Sequence, residues 1–216
     1  MSGAGALDNF TDKWRARWPE WSIAEVFVEP SQRPTALAWF ALLQEITEAA
    51  WGGDDAAPGL AKLGWWQEEL QGWSQGRRRH PLGAALQSQP APWDALSAAL
   101  STLPALRGLQ RGIDDAVVGL DVFAACVVKV EAVLFDTRES PTSAIVSMAL
   151  LAVHPALSGA DMMSLRTALL PWPDASGPRA RRIVSALARA RLESDAPLQP
   201  LSRWRTLWLA WRTARH

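Results

Sequence analysis

The chain has 216 residues, 49% hydrophobic and 20% charged, with 22 Lys and Arg balancing 22 Asp and Glu. That length and composition suit one globular domain with a real core and exclude wholesale disorder, and zero net charge removes any global electrostatic case for a nucleic-acid partner. One cysteine, Cys126, and three histidines exclude an internal disulfide, leave no Cys/His cluster for zinc, and point to a reducing, cytosolic setting.

Residues 1–24 read as an N-terminal arm. Met1 to Phe10 carries no basic stretch followed by an apolar one, so no signal peptide is expected. Residues 25–216 read as one helical domain. Pro34 follows Ser31-Gln32-Arg33 and suits a first helical turn, and apolar residues then recur at helical spacing through Ile46 until Gly52-Gly53. A second helix runs from about Ala57 to Ser74 and stops at Gly76, and Pro81 opens a third that ends before Pro90-Ala91-Pro92.

Trp93 to Leu103 reads as a short helix, and another begins near Pro104. Asp114 to Phe135 reads as a long buried helix, and Asp121, Lys129 and Glu131 within it argue against a membrane span. Pro141 to Val153, Ala160 to Leu169, Gly177 to Leu192 and Pro200 to Arg215 follow, with a break at Pro171-Trp172-Pro173. No stretch alternates with period two between hairpin turns. The expected fold is therefore an all-α, single-domain helical bundle.

Composition adds two asymmetries. There are 13 Trp and no Tyr, and each indole buries a large ring while keeping one N–H to place. Ten arginines against three acids lie between Arg166 and His216, so that tail is basic and the body before it is acidic. Such a division implies either a partner for the tail or internal neutralisation against the body.

The segment Ala61-Lys62-Leu63-Gly64-Trp65-Trp66-Gln67-Glu68-Glu69-Leu70, followed by Gly76, His80-Pro81 and Leu82 to Leu86, resembles the squalene/phytoene synthase family. There, a Leu-x-Trp-Trp-Arg-Glu-Glu helix leads to Gly and then His-Pro. Val26 to Ala50 resembles that family's opening helix, and Pro200 to Arg212 is similar to the closing helix of some bacterial members. The resemblance is fullest over residues 25–90, faint to residue 135, and returns at the end, as in a shortened, divergent bacterial member.

The resemblance implies an isoprenoid-synthase bundle around a central cavity. In that family two aspartate-rich motifs hold magnesium ions that bridge to a prenyl diphosphate and stabilise it as it departs. The first motif's place is taken here by Gln44-Glu45-Ile46-Thr47-Glu48, so Asp-Asp-x-x-Asp becomes Gln-Glu-x-x-Glu. Glu45 and Glu48 share a helix face at i, i+3 and are the candidate ligands for magnesium and for the substrate diphosphate. The second motif's place reads Met148 to Pro155 without paired carboxylates, and Asp161 stands alone downstream. The expectation is a degenerate, non-catalytic protein that binds an isoprenoid or a protein partner. The alternative is a working magnesium-dependent prenyl diphosphate transferase that uses Glu45 and Glu48.

Other chemistry-bearing residues have structural readings. Asp114 and Asp115 suit a helix N-terminus through its dipole, Arg77-Arg78-Arg79 reads as a solvated basic turn, Cys126 as an inert buried thiol, and His154 as a helix cap. Trp65 and Trp66 are adjacent and cannot both face one way. Leu201, Trp204, Trp208 and Trp211 form one apolar stripe, with Arg203, Arg205, Arg212 and Arg215 mostly off it. That last helix either docks on the bundle or makes the protein a peripheral membrane adaptor, with Trp at the interface and Arg on headgroups.

Overall fold

Proline and glycine punctuate this chain where its helices begin and end. The computed structural model describes residues 3–107, 112–137, 142–158, 160–169, 172–173 and 176–215. Among them lie eleven α-helices and no strand, an all-α single-domain bundle. The helix start expected at Pro141 and the break expected at Pro171 fall outside the described residues.

The helices are α1 (Gly3–Arg17), α2 (Trp21–Ala24), α3 (Arg33–Trp51), α4 (Ala56–Ser74), α5 (Gly83–Leu86), α6 (Trp93–Ala99), α7 (Ile113–Leu134), α8 (Ser143–Val153), α9 (Met162–Ala168), α10 (Arg179–Leu192) and α11 (Arg203–Ala214). α3 has Pro34 in its first turn, as its sequence predicts, and gives way to extended backbone at Gly52. The Asp55 side chain accepts from the Ala57 N–H, 2.9 Å, to start α4. Gly76 ends α4 with φ +77°, a conformation that side chains with a Cβ rarely adopt, and Arg77 N–H donates back to Gly72.

Helices adjacent in sequence mostly pack side by side. α1 lies on α3, α3 on α4, α4 on α6, α6 on α7, α7 on α8, α8 on α10 and α10 on α11. α11 then meets α2, so the path closes into a ring. The α3–α4 contact is close: a Cβ on Gly59 would stand 2.4 Å from the Ala49 carbonyl oxygen.

The segment expected as an arm adds to this core. Phe10, Trp14 and Trp18 fall at i, i+4 and i+8 on one side of α1, and Trp14, Trp18 and Trp21 are all buried. Trp14 stacks on Phe40 of α3 and meets Trp21 edge-on. Seven indoles are buried in all: Trp14, Trp18, Trp21, Trp39, Trp66, Trp73 and Trp93. Each removes about 150–250 Å2 from water, which makes them the dominant mass of this interior.

Charges inside the bundle are paired. Glu131 of α7 and Arg181 of α10 are both buried, with the guanidinium Nε 2.9 Å and 3.0 Å from the two carboxylate oxygens. Trp39 Nε1 donates to the same carboxylate at 2.7 Å. Glu20 accepts from Arg191 Nε at 2.7 Å and from the Leu201 N–H at 2.8 Å. It thereby ties the start of α2 to the end of α10 and the lead into α11.

Candidate functional site

Three places bear on function. They are the Glu45/Glu48 face of α3, the turn from Glu69 to His80, and the outer face of α11.

Glu45 and Glu48 do lie on one face of α3, but cations from this chain already occupy it. On α1, Lys13 follows the same side as Phe10 and Trp14, so docking those rings delivers its ammonium between the two carboxylates. Lys13 Nζ lies 2.7 Å from Glu45 Oε1 and 2.5 Å from Glu48 Oε2. Lys62 of α4 takes the other Glu45 oxygen at 2.5 Å, and Arg17 stands 3.8 Å from the other Glu48 oxygen. Burial acts to raise the Glu45 pKa, but hydrogen bonds from Lys13 and Lys62 outweigh it and hold the group below the ordinary carboxylate range. The carboxylate lone pairs a magnesium ion would need accept, in this arrangement, from lysine N–H groups. Among the described residues, no group of three or more His, Cys, Asp and Glu side chains is arranged to hold a metal ion.

Beside this face lies a space of about 70 Å3 where α1, α3, α8 and α10 meet. Trp14, Trp18, Phe40, Gln44, His154 and Arg181 are among its walls. Gln44 Oε1 is buried there without a partner. Sites for organic ligands usually enclose about 300–1,000 Å3, so this space is too small for a prenyl chain. An unpaired acceptor in it suits water. His154, at the end of α8, is driven to a pKa of about 4, first by burial and then by the nearby Arg17. It is neutral at pH 7 and edge-on to Trp51.

The turn after α4 explains the spacing of Glu69, Gly76 and His80-Pro81. Glu69 is buried and gathers the groups that the turn leaves bare. Its Oε1 accepts from the Arg79 N–H at 2.6 Å, the His80 N–H at 2.8 Å and Trp73 Nε1 at 2.9 Å, while Oε2 accepts from Arg79 Nε at 2.9 Å. Burial pushes its pKa up, but these donors more than reverse that and hold it low. His80 accepts the Leu82 N–H at Nδ1, 3.2 Å, and packs on Phe10 and Trp66 with ring centroids 4.4 and 4.5 Å apart. Burial holds its pKa at about 4, although Glu45 and Glu69 pull the other way. Trp66 is wholly buried, while the half-buried Trp65 lies under the Arg79 guanidinium. Every polar atom of Glu69 is used in holding the turn, so this motif is architecture.

α11 presents the opposite situation. It docks on α10 and α2 through Thr206, Leu209, Ala210 and Thr213, at i, i+3, i+4 and i+7, all buried. The tryptophan stripe is therefore the outer face. Trp204 is 81% exposed, Trp208 52% and Trp211 44%, with Leu207 between them at 37%. Arg212 lies over the Trp208 ring at 4.4 Å and Arg215 over Trp211 at 4.7 Å. Arg203 and Arg205 are exposed beside them. The helix docks, but Thr206, Leu209, Ala210 and Thr213 make the contact and the indoles do not.

The remaining candidates are structural. Asp114 and Asp115 sit in the first turn of α7, where the helix dipole favours them. Cys126 is half-buried, 3.5 Å from the Ala95 carbonyl, with its thiol pKa raised first by burial. Asp161 caps α9 by accepting from the Met163 and Ser164 N–H groups, each at 2.9 Å. The roles of Lys13, Lys62 and Glu69 are not singled out by sequence reasoning. A signal for Glu69 existed: a His-Pro turn leaves bare N–H groups that need an acceptor nearby. No helix among the described residues is long and apolar enough to cross a membrane. Comparison with protein-family models, curated proteins and solved structures finds no match to this chain.

Proposed function

We propose that this chain is a non-catalytic, squalene/phytoene-synthase-like protein that acts by binding a protein partner and transfers no prenyl group. The observation that carries this reading is the ion-pair cluster on α3, in which Lys13 and Lys62 take the oxygens of Glu45 and Glu48. A diphosphate site of the resembled kind needs carboxylates whose negative charge is open to magnesium. Here the same charge is cancelled by two ammonium groups held in place by helix packing.

The filled interior supports the same reading. Trp14, Trp18 and Phe40 crowd the place where a cavity would open, and the remaining space is below the size of a ligand site. This weighs against an isoprenoid ligand beside the Glu45/Glu48 face. The alternative, magnesium-dependent transfer through Glu45 and Glu48, requires Lys13 and Lys62 to leave and the α1 rings to move.

A thermal-shift titration with farnesyl and geranylgeranyl diphosphate, with and without magnesium, tests the proposal. A ligand that binds only the folded state raises Tm by mass action whether or not chemistry follows. No shift is expected in either condition. A magnesium-dependent rise that disappears in Glu45→Ala, Glu48→Ala would overturn the reading and restore the transferase alternative.

A further inference from the structure

Of the basic tail's ten arginines, those on α10 and those on α11 have different fates. Arg181 is paired with Glu131, Arg189 with Glu193 and Arg191 with Glu20. On α11, by contrast, Arg203, Arg205, Arg212 and Arg215 form no ion pair with any described residue, and no acid lies between Ala196 and Arg215. Acids of the body therefore pair Arg181 and Arg191 of α10, whereas the arginines of α11 form a positive ridge without an ion pair to any described residue.

The same ridge carries the exposed indoles. Every other tryptophan of the chain is buried or half-buried, and Trp204, Trp208 and Trp211 fall at i, i+4 and i+7 on one line with Leu207. Leu198, in the segment leading into the helix, is also exposed. Indole rings flanked by guanidinium groups match the chemistry of a bilayer interface. The rings settle at the level of the glycerol backbone and the cations meet lipid phosphates.

We propose that the outer face of α11 docks the protein on an anionic lipid bilayer, parallel to the surface, with Trp204, Leu207, Trp208 and Trp211 inserted and Arg203, Arg205, Arg212 and Arg215 on headgroups. Charge complementarity selects this occupant. A protein partner for four arginines would need a matching acidic groove, whereas an anionic leaflet offers phosphate along the whole helix. The acidic remainder of the chain is repelled by such a surface, which orients the molecule with α11 down. This surface is independent of the Glu45/Glu48 cluster, so vesicle binding and the diphosphate titration can fail separately.

The test is co-sedimentation of the full chain with phosphatidylcholine vesicles, with or without phosphatidylglycerol. Binding is expected only to the mixed vesicles, falling as salt rises. Arg205→Gln and Arg212→Gln are each expected to weaken it about fivefold. Replacing Trp204, Trp208 and Trp211 together by Ala is expected to cost about tenfold or more. These side chains stand in solvent, so the variants should melt as the parent does. Vesicles with brominated acyl chains should quench the parent's tryptophan emission, and a Trp204→Phe, Trp208→Phe, Trp211→Phe variant should bind but lose that quenching. No binding to mixed vesicles, binding indifferent to the Ala variant, or quenching retained in the Phe variant each overturns the proposal. Self-association abolished by the Ala variant, without vesicle binding, would reassign the face to a second copy of the chain.

Discussion

The bundle core and α11 use the same residue for opposite ends. In the core, seven indoles fill space and those that donate reach carboxylates or carbonyls, as Trp39 does to Glu131 and Trp73 to Glu69. On α11, three indoles at equally regular spacing face solvent, and two of them, Trp208 and Trp211, lie under Arg212 and Arg215. The difference follows from the partner surface. α10 and α2 meet α11 along Thr206, Leu209, Ala210 and Thr213, which are buried there and are all smaller than an indole. Large apolar residues at helical spacing thus identify a face that seeks an apolar environment, without saying whether that environment is the protein's own interior.

Substitutions can break or sharpen this contrast. The largest effect is expected from Trp39→Ala, which empties a wholly buried site and strips a donor from Glu131. The loss should be about 3–5 kcal/mol in denaturant melts, a large part of the stability of any single domain. Next comes Glu69→Ala, expected to cost about 2–3 kcal/mol because it leaves the Arg79 and His80 N–H groups and Trp73 Nε1 without their acceptor. The exposed neighbour Glu68→Ala should change stability by less than about 0.5 kcal/mol in the same melts.

A graded effect follows from two half-buried histidines. His80 and His154 are held to about 4 against 6.5 in the unfolded chain, so the unfolded state binds more protons between those values. Stability is therefore full above about pH 6.5 and falls as pH drops towards 4, by at most about 1.4 kcal/mol per pH unit for each histidine, and by less because both rings are partly exposed. Glu45 and Glu69 carry depressed pKa values, so what they contribute is present above 4.5 and lost only below it. Melts from pH 7.5 to 5.5 would thus read the histidines with little contribution from Glu45 and Glu69, and replacing both by Gln should flatten the slope. Smallest of all is Trp204→Ala, expected within about 0.5 kcal/mol of the parent by the same melts. A loss of several kcal/mol there would dissolve the contrast, because it would place that ring in the core.

The fold was legible wherever local chemistry sets the boundaries. α3, α4, α7 and α10 begin and end within about two residues of the bounds read from the sequence: Pro34 to Gly52, Ala57 to Ser74, Asp114 to Phe135 and Gly177 to Leu192. α1 was not legible. Its first residues, Gly3-Ala4-Gly5-Ala6, lack a clear helical pattern, and the helix packs through Trp14 on Phe40 of α3 and through Phe10 on His80, across long separations in sequence. Missing α1 also hid what faces Glu45 and Glu48. Their spacing shows that the two carboxylates share a face, but the ammonium set between them comes from Lys13, which only tertiary docking brings there. At α11 the sequence carries two stripes, and the heavier one reads as the packing face. Shape complementarity at close approach selects the lighter.

The clasp at Glu20 has a temporal consequence. Its bonds to Arg191 and Leu201 span 171 and 181 positions of the chain. Closing a loop that long costs entropy that must be spent before the contact repays it, whereas α3, α4, α6 and α7 meet neighbours close at hand. The ring of helices is therefore expected to seal late on the folding pathway, after the crest of the barrier. Interactions made after that point govern how slowly a protein comes apart and leave its speed of assembly nearly untouched. The clasp would then act as a latch on lifetime: Glu20→Gln should hasten unfolding in stopped-flow traces while the refolding limb stays where it is.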